Sequence, residues 1–136
     1  TTEEIFSIIN KNDRSIHLEK FVKVPNSWNN KNLNEKWTIL KKIRDNCNIS
    51  IEEKRAEKII GSSLEAKIDL KLSNNLYDIT KNIDFAELCI TSEAQVFYAN
   101  KNEQEIIVET FKAEGKKCPI CWKIRKNKCE RHGHLL

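Results

Sequence analysis

A regular spacing of apolar residues predicts one long helix in the first half of the chain. Between residues 33 and 51 the apolar positions recur at steps of three and four, as they do along one face of an α-helix. Asn32 and Glu35 have the spacing of a capping box, so we expect the helix to begin near Asn32. We expect it to run to about Ile60 and to stop at Gly61, because glycine readily takes the left-handed conformation that ends helices. The apolar face comprises Leu33, Trp37, Leu40, Ile43, Cys47 and Ile51.

Shorter elements are predicted on the N-terminal side of this helix. Thr1 and Glu4 form a second capping-box pattern, which predicts a helix over residues 1–10. Polar residues at 12–15 break that helix, and residues 16–21 have the pattern of an extended segment. The stretch 25–27 begins with proline and predicts a turn.

After Gly61 the apolar period changes to two, which predicts a half-buried strand. The charged residues between the apolar positions are expected to face solvent. The apolar positions of this strand are Leu64, Ala66, Ile68, Leu70 and Leu72.

A second helix and further strands are predicted to follow. Asn74 or Asn75 can cap a helix that carries Leu76, Ile79 and Ile83. Residues 88–91, 94–99 and 105–111 are rich in strand formers, and a turn is expected at 100–103. Residues 62–115 are therefore predicted to form a small α/β unit, and Gly115 is predicted to act as a hinge into the tail.

The tail contains a C-x2-C-x7-C-x2-H array that is typical of a zinc site. The thiolates of Cys118, Cys121 and Cys129 and the imidazole of His132 can complete a tetrahedral shell. Such a shell leaves no open position for water, so the predicted zinc is structural and not catalytic. His134 is an alternative fourth ligand; His132 is preferred because it repeats the two-residue loop of the first pair.

Positive charge is concentrated on this same segment. Residues 116–132 contain seven Lys and Arg and one Glu, a net charge of +6, and the rest of the chain has 17 basic and 19 acidic residues, or −2. A concentrated positive patch favours an anionic partner such as RNA. Trp122 can pack over the metal site as its small core, and it can also stack on an unpaired base. The predicted nucleic-acid contacts are Trp122, Lys123, Arg125, Lys126, Lys128 and Arg131.

Bulk composition limits the remaining possibilities. The 136 residues contain no Met and begin with Thr1, which suggests a fragment or a processed product. No run of about eighteen apolar residues and no leader pattern is present, so neither a membrane span nor secretion is predicted. Five cysteines, an odd number with metal-like spacing, favour a reducing compartment and predict a cytoplasmic protein; Cys47 and Cys89 are expected to be buried small apolar residues. No phosphate-binding glycine loop or catalytic triad spacing is recognisable.

Four stretches resemble the C-terminal region of bacterial isoleucyl-tRNA synthetases. They are the start TTEEIF, the segment SIHL with Phe21 and Pro25, the junction IIGSSLEAK at 59–67, and KCPICW at 117–122. The family usually ends its zinc finger with a second Cys-x2-Cys pair, whereas this chain offers His132. Ile120 replaces an arginine that is usual between the first two cysteines, and the loop between the ligand pairs has only seven residues.

The resemblance implies an α+β fold in three parts. Residues 1–61 would be the end of an anticodon-binding helical bundle, 62–115 a small α/β junction domain, and 116–136 the zinc finger. The parent enzymes make isoleucyl-tRNA from isoleucine, ATP and tRNA, and they hydrolyse mischarged valine. The catalytic and editing domains would lie upstream, so this part is expected to carry no active site and to grip the anticodon arm of isoleucine tRNA.

Two other functions remain open at this point. The CPICW segment also resembles the terminal finger of formamidopyrimidine-DNA glycosylases, which would make this a DNA-binding module; those enzymes need an N-terminal Pro-Glu pair that Thr1-Thr2 does not supply. The third possibility is a purely structural knuckle whose charge serves only solubility.

Overall fold

The computed structural model describes residues 1–11, 14–99, 105–133 and 135. The chain divides into two compact units, residues 1–31 and residues 32–136. The second unit has a long helix followed by a small sheet-plus-helix region, which confirms the predicted α+β class. The division into parts at 61 and 115 stays a prediction.

The first unit contains the predicted N-terminal helix, α1 (Thr2–Asn10). Its capping box is present: the Thr1 side chain accepts from the Glu4 backbone N–H, and the Glu4 carboxylate accepts from the Thr1 backbone nitrogen. The extended segment predicted at 16–21 is wrong in its first half, because Ile16–Leu18 forms a 3₁₀ turn. The Ser15 hydroxyl accepts from the His17 N–H and so favours this local turn over an extended backbone.

A second 3₁₀ turn occupies Asn26–Trp28, directly after Pro25, where a turn was predicted. The predicted break at 12–15 falls partly on residues 12 and 13, which lie outside the described residues.

The long helix α2 spans Lys31–Ala56, so Asn32 lies inside it and its C-terminal end comes earlier than predicted. Lys58 takes the left-handed conformation, with φ of 59°. The Ile59 N–H donates to the Lys54 carbonyl, and the Lys58 N–H donates to the Arg55 carbonyl. Both hydrogen bonds are 3.0 Å long. This paired pattern closes a helix C-terminus. The prediction that Gly61 stops the helix is therefore wrong.

The apolar stripe of α2 is buried only along its C-terminal two thirds. Leu40, Ile43, Cys47 and Ile51 lie in the core, whereas Leu33 and Trp37 are 50% and 45% exposed. The spacing thus predicted the helix face correctly, but it could not show where the covering sheet ends.

The sheet has the order β2–β1–β3, with β1 (Ala66–Leu72) at its centre. Strand β2 (Glu93–Tyr98) pairs with β1 in parallel, and β3 (Ile106–Lys112) pairs with it in antiparallel fashion. Alternate residues of β1 are buried, as the period of two predicted. These buried residues meet α2 on one face of the sheet and form the main core, to which each fully buried Leu or Ile contributes about 1.5–3 kcal/mol.

Two short helices connect β1 to β2. They are α3 (Asn74–Thr80) and α4 (Phe85–Leu88). The N-cap position of α3 is held by Ser73 and not by Asn74 or Asn75, and Ile83 lies beyond the end of that helix.

The strand predicted at 88–91 is wrong. The Asp84 carboxylate accepts from the Glu87 N–H at 3.1 Å and starts a helical turn there. Ile90 then has a φ of 56°, which a strand does not allow. The turn predicted at 100–103 lies outside the described residues.

The tail, residues 116–133 and 135, forms a compact knuckle around the hairpin of β4 (Lys116–Lys117) and β5 (Ile124–Arg125). Gly115 precedes it with a φ of 128°, and a Cβ atom at this position would collide with the Arg125 carbonyl oxygen. This glycine is therefore needed for a close backbone approach and does not mark an open hinge as predicted.

Candidate metal centre and nucleic-acid surface

The knuckle brings the four predicted ligands together. The Sγ atoms of Cys118, Cys121 and Cys129 and a ring nitrogen of His132 all lie within 4.8 Å of one another. Cys118 and Cys129 are buried, and the other two are half-buried. This Cys3His group could hold a metal ion.

Three of the distances between the donors fit a tetrahedral zinc shell. With Zn–S of about 2.3 Å and Zn–N of about 2.0–2.1 Å, a tetrahedron has S···S edges of about 3.8 Å and S···N edges of about 3.6 Å. Cys121 Sγ lies 3.7 Å from Cys129 Sγ, and His132 Nδ1 lies 3.6 Å from Cys118 Sγ and 3.4 Å from Cys129 Sγ. The imidazole would bind through Nδ1. Zinc would act there as a structural cross-link between the two ligand loops.

Two tight turns place these donors. In the first, the Trp122 N–H bonds to the Cys118 carbonyl at 3.0 Å, and Trp122 takes a φ of 63°. In the second, the Gly133 N–H bonds to the Cys129 carbonyl at 2.7 Å with a φ of 71° at Gly133. The left-handed residue after each ligand pair turns the chain away, so both donors of a pair point to the same side.

Backbone groups favour the ionised form of Cys118. Burial opposes ionisation of this thiol, but hydrogen bonds from the backbone N–H groups of Cys121 and Ile120, together with those from the Cys121 and Cys129 side chains, outweigh it and lower the pKa of Cys118 to about 5. Burial also opposes ionisation of Cys129. There it outweighs the backbone hydrogen bonds, so the pKa of that thiol is raised. One thiolate of the group is thus available for a metal at neutral pH before any metal binds.

Four of the six predicted nucleic-acid contacts are exposed. Trp122 is 58% exposed, and the Lys117 amine lies 5.9 Å from the centroid of its ring. Lys126, Lys128 and Arg131 are also exposed. The ion pair of Lys126 with Glu114, at 3.3 Å, joins two well-exposed side chains and is weak enough to exchange for a phosphate.

The other two predicted contacts, Lys123 and Arg125, are directed towards the sheet unit, by which we mean the part of the chain from α2 to β3. Lys123 is only 5% exposed, and its amine lies 2.5 Å from the Glu87 carboxylate. Arg125 is half-buried and donates to the Ser92 carbonyl. Neither cation is available to a phosphate in this arrangement, and their role in nucleic-acid binding stays a prediction.

Known relatives match almost the whole chain. This chain is 61% identical over 132 residues to the isoleucine–tRNA ligase of Pelagibacter ubique, and that match covers 97% of this chain and 14% of the relative. The isoleucine–tRNA ligases of Zymomonas mobilis and Agrobacterium fabrum are 34% and 35% identical, over 90% and 91% of this chain and 12% and 14% of their own lengths. The chain matches the C-terminal region of isoleucine–tRNA ligases. The resemblance inferred from the IIGSSLEAK and KCPICW segments is thereby confirmed.

The match to isoleucine–tRNA ligases concerns a small part of those enzymes. The chain spans about 14% of the length of the first curated relative and 12–15% of the others. No protein-family model matches the chain. Within the described residues, no helix is long and apolar enough to cross a membrane.

Sequence reasoning missed two residues that hold the knuckle. Glu87 accepts from Lys123 and Arg131, and Ser92 accepts from the Ile124 N–H with its hydroxyl oxygen. Glu87 lies 36 residues before Lys123 in an unremarkable acidic helical turn, so no local pattern indicates the pairing. His134, the alternative fourth ligand, lies outside the described residues.

Proposed function

We propose that this chain is the tRNA-binding end of a cytoplasmic isoleucine–tRNA ligase. In this proposal the parent enzyme charges isoleucine tRNA with ATP and removes mischarged valine in upstream domains, and this segment grips the anticodon arm. The observation that carries the proposal is a cationic knuckle, built on a Cys3His group, in a chain homologous to isoleucine–tRNA ligases.

Zinc bound by Cys118, Cys121, Cys129 and His132 would hold the knuckle in shape. The tail has few buried apolar residues apart from its own cysteines, so apolar burial cannot fold it alone. Small sites of this kind draw most of their folding free energy from the metal.

The RNA contacts are proposed for the exposed part of the knuckle. Lys126 and Lys128 supply charge for phosphates, and Trp122 offers one ring face to an unpaired base while the Lys117 amine lies near its ring. Arg131 shares its guanidinium with Glu87 but remains 58% exposed, so it can also reach a phosphate.

The burial and ion pairing of Lys123 favour a second candidate function, in which the knuckle is structural and contacts protein only. A DNA-binding module is the third candidate, and it has no support beyond the CPICW segment. Competition experiments separate all three.

The test is binding of the zinc-loaded chain to isoleucine tRNA as salt is varied. We expect the affinity to fall as salt rises, and duplex DNA to compete poorly. Lys128→Gln should lower the log–log salt slope by about 0.7–0.9, the loss of one phosphate contact. Lys41→Gln is the matched control, because Lys41 is likewise an exposed lysine but belongs to α2 and not to the knuckle; it should leave the slope unchanged.

Trp122 is tested separately, because stacking does not depend on salt. Trp122→Ala should weaken binding by about 1–3 kcal/mol without changing the slope, and Trp122→Phe should retain most of the affinity. A salt-independent affinity, or equal competition by duplex DNA, would contradict the proposed function.

A further inference from the structure

An acidic side chain of the sheet unit pairs with two cations of the knuckle. Glu87, in α4, accepts from the Lys123 amine with one carboxylate oxygen and from the Arg131 guanidinium, at 3.1 Å, with the other. The hydrogen bond and charge of Lys123, followed by the charge of Arg131, hold the pKa of Glu87 below its usual value. Glu87 is therefore ionised at neutral pH, and both cations lie in sequence beside metal ligands.

Ser92 makes the second attachment, at the start of β2. It is buried, and its hydroxyl donates to the Leu64 carbonyl while it accepts from the Ile124 N–H, each at 2.5 Å. Its carbonyl accepts from Arg125. One residue of the sheet unit thus binds the backbone and a side chain of β5, the strand that joins the two ligand pairs.

These two attachments restrain rotation of the knuckle. Glu87 holds it through Lys123, two residues after Cys121, and through Arg131, one residue before His132. Ser92 holds the strand between them. A body held at residues 123–125 and again at Arg131 has little freedom to turn against the sheet, whereas one joined only by its chain connection would turn more readily.

We propose that Glu87 and Ser92 position the knuckle for RNA binding and that Lys123 is a positioning residue, not a phosphate contact. The effect on RNA binding rests on the proposed function. The restraint of the knuckle does not depend on that function. The attachment neutralises the charges of Lys123 and Arg131. It also fixes the direction in which Trp122, Lys126 and Lys128 face.

The sign of the effect distinguishes positioning from charge. Glu87→Gln removes a negative charge and releases two cations, so charge alone predicts tighter RNA binding at low salt. Positioning predicts weaker binding, by between about two- and thirtyfold. Glu130→Gln is the matched control: it removes the same charge from the knuckle itself, and Glu130 makes no ion pair among the described residues. It should leave the affinity unchanged or raise it.

The experiment uses the zinc-loaded chain, with the zinc content of each variant measured first. Weaker tRNA binding by Glu87→Gln at one zinc per chain, without weakening by Glu130→Gln, supports positioning. Tighter binding by both variants overturns it. Loss of zinc from Glu87→Gln would also overturn it, because the attachment would then serve metal retention.

A readout that needs no RNA keeps the inference separate from the proposed function. In nuclear magnetic resonance relaxation, the knuckle amides of the wild type should tumble with those of β1, and Glu87→Gln and Ser92→Ala should each give the knuckle additional motion. Absence of tRNA binding by a wild type with a restrained knuckle would refute only the proposed function. An equally restrained knuckle in both variants would refute the positioning role.

Discussion

The sheet unit and the knuckle are folded by different forces. The sheet unit has one buried apolar core, which includes Ile43 and Cys47 of α2 and Ile68 and Leu70 of β1. The knuckle buries two of the candidate metal-ligating cysteines, the side chain of Lys123 and little else. The first region therefore depends on apolar area, and we propose that the second depends on a metal and on polar attachments to its neighbour.

This difference predicts how each region responds when its own stabilising element is removed. A change in the metal shell should affect the knuckle and spare the sheet. A cavity in the sheet core should affect both, because the knuckle is attached to residues of the sheet unit.

The largest effect is expected from Cys121→Ser. The variant should lose zinc and unfold the knuckle, because the metal supplies about 10–16 kcal/mol of apparent free energy in comparable small sites. Amide exchange should show loss of protection in β4 and β5 with β1 still protected. An unchanged zinc content would contradict the ligand assignment, and loss of protection in β1 would contradict the independence of the two regions.

The next effect concerns the sheet core. Leu70→Ala should lower the free energy of unfolding by about 2–5 kcal/mol, because Leu70 is fully buried in the central strand. Leu33→Ala, on the exposed part of α2, should change it by no more than about 0.5 kcal/mol. Denaturant unfolding followed by circular dichroism measures both. Equal effects at the two positions would refute the boundary that we place on the buried stripe.

The smallest effect is expected at the C-terminus of α2. Lys58→Gly should raise the free energy of unfolding by about 1 kcal/mol, because a left-handed φ costs a side-chain-bearing residue about that much. Gly61→Ala should not destabilise, because an added Cβ would meet Glu65 only at ordinary contact distance, 3.5 Å. A strongly destabilising effect of Gly61→Ala would instead indicate that the helix stops at Gly61, as the sequence pattern predicted.

Local patterns predicted those elements whose cause is local. The capping box of Thr1, the alternation of β1 and the ligand spacing of the tail each act through residues a few positions apart. Lys58 escaped prediction because it has no intrinsic preference for the left-handed conformation and accepts it only as part of the helix end.

Long-range contacts account for the rest of what the sequence left open. Lys123 belongs to a basic run that predicts a solvent-facing patch, yet it is buried by a carboxylate 36 positions away. The exposed end of the α2 stripe likewise depends on where the sheet ends. The candidate metal site could thus be predicted by residue number, whereas the orientation of the surface around it could not.

X-ray absorption at the zinc edge of the purified chain tests the central claim most directly. We predict one zinc per chain with three sulfur neighbours at about 2.3 Å and one nitrogen neighbour at about 2.0–2.1 Å. A shell of oxygen and nitrogen atoms only, or zinc well below one per chain in metal-replete protein, would contradict the assignment of Cys118, Cys121, Cys129 and His132.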